Sequence, residues 1–169
     1  EYQEGASPLL CSMHTDGSNY RSLIIPDGGY RNPVTPQSFE YYECKDGMKR
    51  NRLNANMEGE DILSFAMHTA PKCIKGLIEY FGLDKEKIDY YLIHQANQMI
   101  NKLIQKRLKV DNDHCPYNIH DFGNTSSTSI PLMIVNKLRE EIGGKEIVAC
   151  GFGTGLAWGA LYFETIKDI

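Results

Sequence analysis

Tyr90-Tyr91-Leu92-Ile93-His94-Gln95-Ala96-Asn97 is the stretch on which the reading of this chain turns. Its first four residues form an unbroken apolar and aromatic run, the pattern of a short buried strand. From Asn97 to Leu108 the spacing changes, and Ile100, Leu103, Ile104 and Leu108 fall on one face of a helix. Upstream, Ile62, Leu63, Ala66, Ala70, Ile74, Leu77, Ile78 and Phe81 recur at three and four, predicting a helix that begins near Gly59 and stops at Gly82. Pro71 inside it predicts a kink or two separate helices. Downstream, Tyr117-Asn118-Ile119 reads as a strand. Ser126 to Ile142 reads as a helix carrying Ile130, Ile134, Val135 and Leu138, with Pro131 in its first turns. Glu146–Cys150 and Leu156–Glu164 read as two strands joined by Gly151-Phe152-Gly153-Thr154-Gly155. Strands alternating with helices predict an α/β fold, a partly parallel sheet covered by helices, with chemistry gathered beyond the carboxyl ends of the strands.

The first third of the chain is less regular. Pro8–Met13 and Leu23–Pro26 flank the polar turn Thr15-Asp16-Gly17-Ser18-Asn19 and read as a strand pair. Residues 27–58 hold Gly28-Gly29, Pro33, Pro36 and Asp46-Gly47 without periodicity, and a loop this long is usually functional or covers another surface. The expected organisation is a single domain over 1–169, with a strand pair and long loop in 1–58 and an α/β core in 59–169.

Composition narrows the function classes. A chain of 169 residues with 41% hydrophobic and 24% charged residues has the means to build a core without staples. Lys and Arg number 18 against 22 Asp and Glu, a net charge of −4 that argues against nucleic acid as a partner. No apolar run reaches the ~18 residues of a membrane span, so no membrane partner is expected. Five cysteines, dispersed and without a CxxC pair, argue for a reducing compartment, and cytoplasmic location is the expectation. The chain opens on Glu1 rather than Met and is read as part of a longer protein.

Three loops carry candidate chemistry. His94 ends a strand just ahead of a helix, whose positive end disfavours imidazolium and leaves a neutral ring able to donate to a carbonyl. Asn124, in Phe122-Gly123-Asn124-Thr125-Ser126-Ser127, reads either as a helix cap or as a neutral amide aimed at an oxygen gaining negative charge. The Gly151–Gly155 segment reads either as a hairpin turn or as a place where backbone N–H groups approach a ligand closely. It lacks the spacing of a dinucleotide fingerprint.

In this order and spacing, His94-Gln95-Ala96-Asn97, Gly123-Asn124-Thr125-Ser126 and Gly151-Phe152-Gly153-Thr154-Gly155-Leu156-Ala157-Trp158-Gly159 resemble the C-terminal half of the β-ketoacyl-acyl carrier protein synthase III family of thiolase-like condensing enzymes. Asp16-Gly17-Ser18, Ile25-Pro26 with Gly28-Gly29, and Met57-Glu58-Gly59 extend the likeness over nearly the whole chain. The resemblance implies the C-terminal half of the thiolase-like fold, a mixed five-stranded sheet with covering helices. It also implies a missing N-terminal half carrying a nucleophilic cysteine, and a homodimer when complete. The implied activity is an acyltransferase one, decarboxylative Claisen condensation of an acyl-CoA primer with malonyl-acyl carrier protein in fatty acid biosynthesis. Coenzyme A and acyl carrier protein thioesters are then substrates, and no cofactor is bound.

By the same resemblance His94 and Asn124 stabilise the malonyl enolate, and the Thr154 backbone N–H helps bind the acyl thioester oxygen. Gly59, Ala96, Asn97, Phe152, Gly153 and Gly155 contribute to substrate binding. Thr154 replaces a glycine common in the family, and Met99 stands where well-known members have a carrier-docking arginine. Lys102, Lys106 and Lys109 are candidates to replace that arginine, or they are the solvated face of an amphipathic helix. Cys11, Cys44, Cys73, Cys115 and Cys150 fit no nucleophile motif and read as structural or incidental thiols. A metal site is not expected, since His114, Cys115 and His120 match no standard zinc spacing. The competing functional reading is a non-catalytic scaffold or binding subunit derived from the same fold.

Overall fold

The computed structural model describes residues 7–166. Strand β1 (Leu10–Thr15) leads through a 3₁₀ turn, Gly17–Ser22, to the short β2 (Leu23–Ile24). After a 3₁₀ turn at Pro36–Phe39 come β3 (Tyr42–Glu43), β4 (Lys49–Arg50) and β5 (Asn56–Met57). Helix α1 (Gly59–Phe81), β6 (Tyr90–Ile93), α2 (Gln98–Leu108) and the single turn α3 (Ile119–Phe122) follow. The chain closes with α4 (Ser129–Met133), β7 (Glu146–Gly153) and β8 (Ala157–Glu164).

The main sheet is mixed, with strand order β1-β8-β7-β6. β6 and β7 run parallel, while β8 is antiparallel to both β7 and β1. Alternation along β7 feeds both sides, as the pleat requires. Val148, Cys150 and Phe152 join the cluster under α1 and α2, with Ala66, Ala70, Ile74, Leu77 and Ile104. Ile147 and Ala149 join Leu92, Met133 and Leu138 on the opposite face.

The main sheet therefore has four strands among the described residues, not five. Tyr117-Asn118-Ile119 is not a strand, because the Asn118 carbonyl accepts from Asp121 N and Phe122 N and so starts α3. β2 leaves the sheet as well, pairing only with β5. Within the expected loop 27–58, β3 and β4 form a hairpin closed at Asp46-Gly47, where Gly47 has φ +76° and Arg50 makes paired bonds to Asp46. The base of this arm is a knot. Asp27, 8% exposed, accepts from Arg52 Nε and Nη2 at 2.7 and 2.8 Å and from Ser38 Oγ at 2.7 Å. Arg52 and Ser38 together hold the Asp27 carboxyl below its ordinary range.

Helix α1 is one continuous helix through Pro71, so of the two expected alternatives the division into separate helices does not occur. The predicted helix 126–142 is instead subdivided. A 3₁₀ turn at Ser126–Thr128 precedes α4, and a wider π-type segment at Ile134–Leu138 follows it. Pro131 has no N–H to donate to the Ser127 carbonyl four residues earlier, so a regular α-helical ladder cannot run unbroken through these first turns.

Candidate functional site

His94 follows the last residue of β6, and its N–H bonds the Cys150 carbonyl at 2.9 Å, so the parallel ladder carries the residue just past the carboxyl end of the strand. The His94 carbonyl is pinned in turn by Ala96 N at 3.0 Å and Asn101 Nδ2 at 3.1 Å. The ring meets Phe152 edge to face, with centroids 5.3 Å apart, and its Nδ1 lies 2.8 Å from Ser129 Oγ. Burial pushes the imidazole below its ordinary value, partly offset by a hydrogen bond to the Ser126 backbone. A ring in this setting stays neutral near pH 7.

Asn124 is exposed beyond Gly123, and its Oδ1 accepts from Ser126 N at 2.9 Å. That bond fixes the carbonyl end of the amide and leaves Nδ2 as the donor end. The segment from Asn124 to Ser129 thus anchors both candidate residues, holding Asn124 through Ser126 N and His94 through Ser129 Oγ. Sequence reasoning passed over Ser129, Gln95 and Asn101, all buried to within 2%. Asn101 gave a signal, as a polar residue on the apolar face of the predicted helix 97–108, whereas Gln95 and Ser129 gave none.

The glycine segment divides. Gly151–Gly153 belong to β7, whereas Thr154 and Gly155 are exposed in the turn to β8. Gly155 has φ +138°, and a Cβ there would stand 2.8 Å from Ala157 N, so only glycine fits without displacement. Phe152 is buried against both His94 and Phe65. On the other face of the sheet Met13, Thr15, Ile130, Gly153, Ala157 and Gly159 border an open groove of about 590 Å³.

The remaining candidates are more scattered. Ala96 is half-buried in the His94 loop, and Asn97 caps α2 by accepting from Ile100 N at 2.8 Å. Gly59 opens α1, next to a Glu58 N–H to Ser22 carbonyl bond, and is not among the residues bonded to or packed on His94. Lys102 and Lys106 are exposed on successive turns of α2, with Met99 exposed on the preceding turn. Lys109 is not on the helix; it forms the left-handed cap at φ 58°.

Burial pushes the Cys73 thiol up, that of Cys115 to about 12, and that of Cys150 further still. None of these three has the depressed pKa of an activated thiol. Among the described residues no group of three His, Cys, Asp or Glu side chains is placed to hold a metal; Cys115 is buried, while the His114 ring lies 2.7 Å from the Asp89 carbonyl. Nor is any described helix long and apolar enough to cross a membrane.

The family described as 3-oxoacyl-[acyl-carrier-protein (ACP)] synthase III C terminal matches residues 78–165. The chain belongs to this family. β-Ketoacyl-[acyl-carrier-protein] synthase III of Lactococcus lactis subsp. cremoris is 37% identical over 161 residues, covering 92% of this chain and 46% of the relative. The same enzyme of Streptococcus agalactiae is 40% identical over 157 residues, 90% of this chain and 45% of the relative. The chain therefore spans about half the length of these curated relatives. A crystal structure of 3-oxoacyl-(acyl-carrier-protein) synthase III superposes with a TM-score of 0.85 at 26% identity, over 96% of this chain and 48% of the other. The synthase from Burkholderia xenovorans gives 0.80 at 29%, over 93% and 44%. Membership of the synthase III family agrees with the motif reading, and the α/β architecture agrees with the thiolase-like half it implied.

Proposed function

We propose that this chain supplies the malonyl-activating half of a condensing acyltransferase of fatty acid biosynthesis, with His94 and Asn124 as its catalytic pair. The observation that carries the reading is the anchoring of both residues by one short segment, beyond the carboxyl end of β6, in a synthase III family member. In the proposed reaction the acyl group of an acyl-CoA sits on a cysteine supplied by the N-terminal half, outside this chain. The carboxylate–carbon bond of malonyl-acyl carrier protein then breaks, CO₂ leaves, and the electron pair moves onto the thioester oxygen. Two neutral donors, a ring N–H of His94 and Asn124 Nδ2–H, stabilise that enolate as it forms. Its carbon attacks the acyl thioester, the Thr154 backbone N–H receives the developing oxyanion, and the cysteine thiolate departs.

Neutral donors suit this step, because a cationic group would bind the malonyl carboxylate before CO₂ has left. The depressed basicity of His94 supports that state of the ring. Phe152, Gly153 and Gly155 shape the proposed floor for the thioester, and Ala96, Asn97 and Gly59 its approach. The reading includes a homodimeric, cytoplasmic enzyme that uses coenzyme A and carrier protein thioesters and binds no cofactor.

The test is kinetic. In the complete enzyme His94→Ala and Asn124→Ala should each lower condensation by about 10²- to 10³-fold, as loss of one preorganised donor does. Transfer of the acyl group to cysteine should continue in both. Near-normal malonyl decarboxylation in either variant would overturn the assignment and favour a non-catalytic scaffold.

A further inference from the structure

We propose that Ser129 is a positioning residue that fixes His94 as the Nε2–H tautomer, through a bond from its hydroxyl to Nδ1. Ser129 Oγ has two polar neighbours: His94 Nδ1 at 2.8 Å and the Gln95 backbone N at 3.3 Å. The Gln95 N–H can only donate, so it occupies one lone pair of the hydroxyl oxygen. Ser129 is 2% exposed, and its own proton needs an acceptor. Nδ1 is the acceptor at hand. Were Nδ1 protonated instead, two donors would converge on Oγ and the hydroxyl proton would be stranded in a buried site. A neutral imidazole whose Nδ1 accepts carries its proton on Nε2.

The surroundings hold this arrangement in place. Gln95 is wholly buried, and its Nε2 donates to the Ile93 carbonyl at 2.8 Å, so the backbone N–H it presents to Ser129 has little freedom. Asn101 Nδ2 holds the His94 carbonyl from the other side. The Ser126 backbone also bonds the ring, and the Ser126 carbonyl accepts the Ser129 backbone N–H, so the segment that carries the hydroxyl is itself tied down beside His94. Removing the Ser129 hydroxyl takes away the donor that favours an unprotonated Nδ1. The catalytic weight of the tautomer rests on the function proposed above; the assignment of Ser129 does not.

Imidazole ¹⁵N NMR of the full chain reads the tautomer directly, with the His94 signals among those of five histidines identified by their loss in His94→Gln. Above the titration range the expected result is an unprotonated Nδ1 and a protonated Nε2. Ser129→Ala should move the tautomer ratio about tenfold toward Nδ1–H, the scale of one lost hydrogen bond, while Ser129→Thr keeps the native tautomer. A protonated Nδ1 in the unaltered protein, or a ratio indifferent to Ser129→Ala, overturns the proposal; the first of these needs no variant to fold. In the complete enzyme Ser129→Ala should then lower kcat for decarboxylation about tenfold with KM nearly unchanged. A shifted tautomer with an unchanged rate would support Ser129 as the positioning residue and overturn His94 as the donor.

Discussion

Arg107 Nη1 donates to the Met67 carbonyl at 3.0 Å, the one carbonyl of α1 whose helical partner is removed by Pro71 four residues later. A proline inside a helix costs about 3 kcal/mol or more, partly because that carbonyl loses its N–H. Here a guanidinium from α2 takes the vacant place and ties the two helices together.

The two residues should consequently behave non-additively. Arg107→Ala is expected to lower stability by about 1 kcal/mol. Pro71→Ala restores the backbone N–H, and in that background the cost of Arg107→Ala should shrink to a few tenths, leaving a coupling of about 1 kcal/mol in a denaturation double-mutant cycle. Additive costs would show that Arg107 acts through its stem's packing alone.

This pair also marks what a sequence withholds. Ile62 to Phe81 announced a helix, and Pro71 announced its interruption; the compensating donor comes from another helix 40 residues away, which no local pattern displays. The same division holds at the site. His94, Asn124 and the glycine turn were legible because each stands at the end of an element whose period is clear. Ser129 was not, since a serine in Asn124-Thr125-Ser126-Ser127-Thr128-Ser129 is indistinguishable from its neighbours until the fold turns it toward His94. Likewise Tyr117-Asn118-Ile119 has strand composition, and only the two N–H groups reaching the Asn118 carbonyl convert it into a helical turn.

The depressed basicity of His94 makes stability depend on pH in a defined sense. Its unfolded value lies near 6.5, above the folded one, so the unfolded chain binds the proton first as pH falls. Above about pH 6.5 the residue is neutral in both states and contributes no slope. Between that pH and the folded value, acidification favours unfolding, and below it the loss levels off. Urea denaturation from pH 8 to pH 5 should show the His94→Gln variant losing less stability than the unaltered protein. Parallel curves would mean that the ring is not held neutral by burial.

Gly155 and Gly76 predict opposite signs for the same substitution. An alanine Cβ at Gly155 meets Ala157 N at 2.8 Å and Ala157 Cβ at 3.1 Å, on a backbone at φ +138°. Gly155→Ala should cost roughly 2–3 kcal/mol, the range for strain at a special backbone position. Gly76 lies inside α1 with open space where its Cβ would be, so Gly76→Ala should add up to about 1 kcal/mol of stability. Thermal unfolding of the two variants checks both signs, and equal shifts would refute the steric account of the β7–β8 turn.

Lys102, Lys106 and Lys109 separate into two kinds of position, which sharpens the question of carrier-protein docking. Lys102 and Lys106 project from successive turns of α2 behind Met99, whereas Lys109 occupies the left-handed cap, where glycine is the favoured residue. Lys109→Gly should therefore raise stability by several tenths of a kcal/mol up to about 1 kcal/mol even as it removes a positive charge. Exposed charges act mainly on association and are screened by salt, at up to about 1 kcal/mol each. If the α2 face receives an acidic carrier protein, reversing Lys102 and Lys106 to Glu in the complete enzyme should raise KM for malonyl-carrier protein about tenfold at low ionic strength. KM for acyl-CoA should not move, and 0.5 M salt, at which the screening length is only about 4 Å, should erase most of the difference. If Lys109 belongs to the same surface, Lys109→Gly should raise that KM by a few-fold despite the stabler fold, a combination that loss of folding cannot produce. Unchanged kinetics at low salt in all three variants would make the lysines the solvated side of α2 and its cap, and would point to an acceptor other than carrier protein.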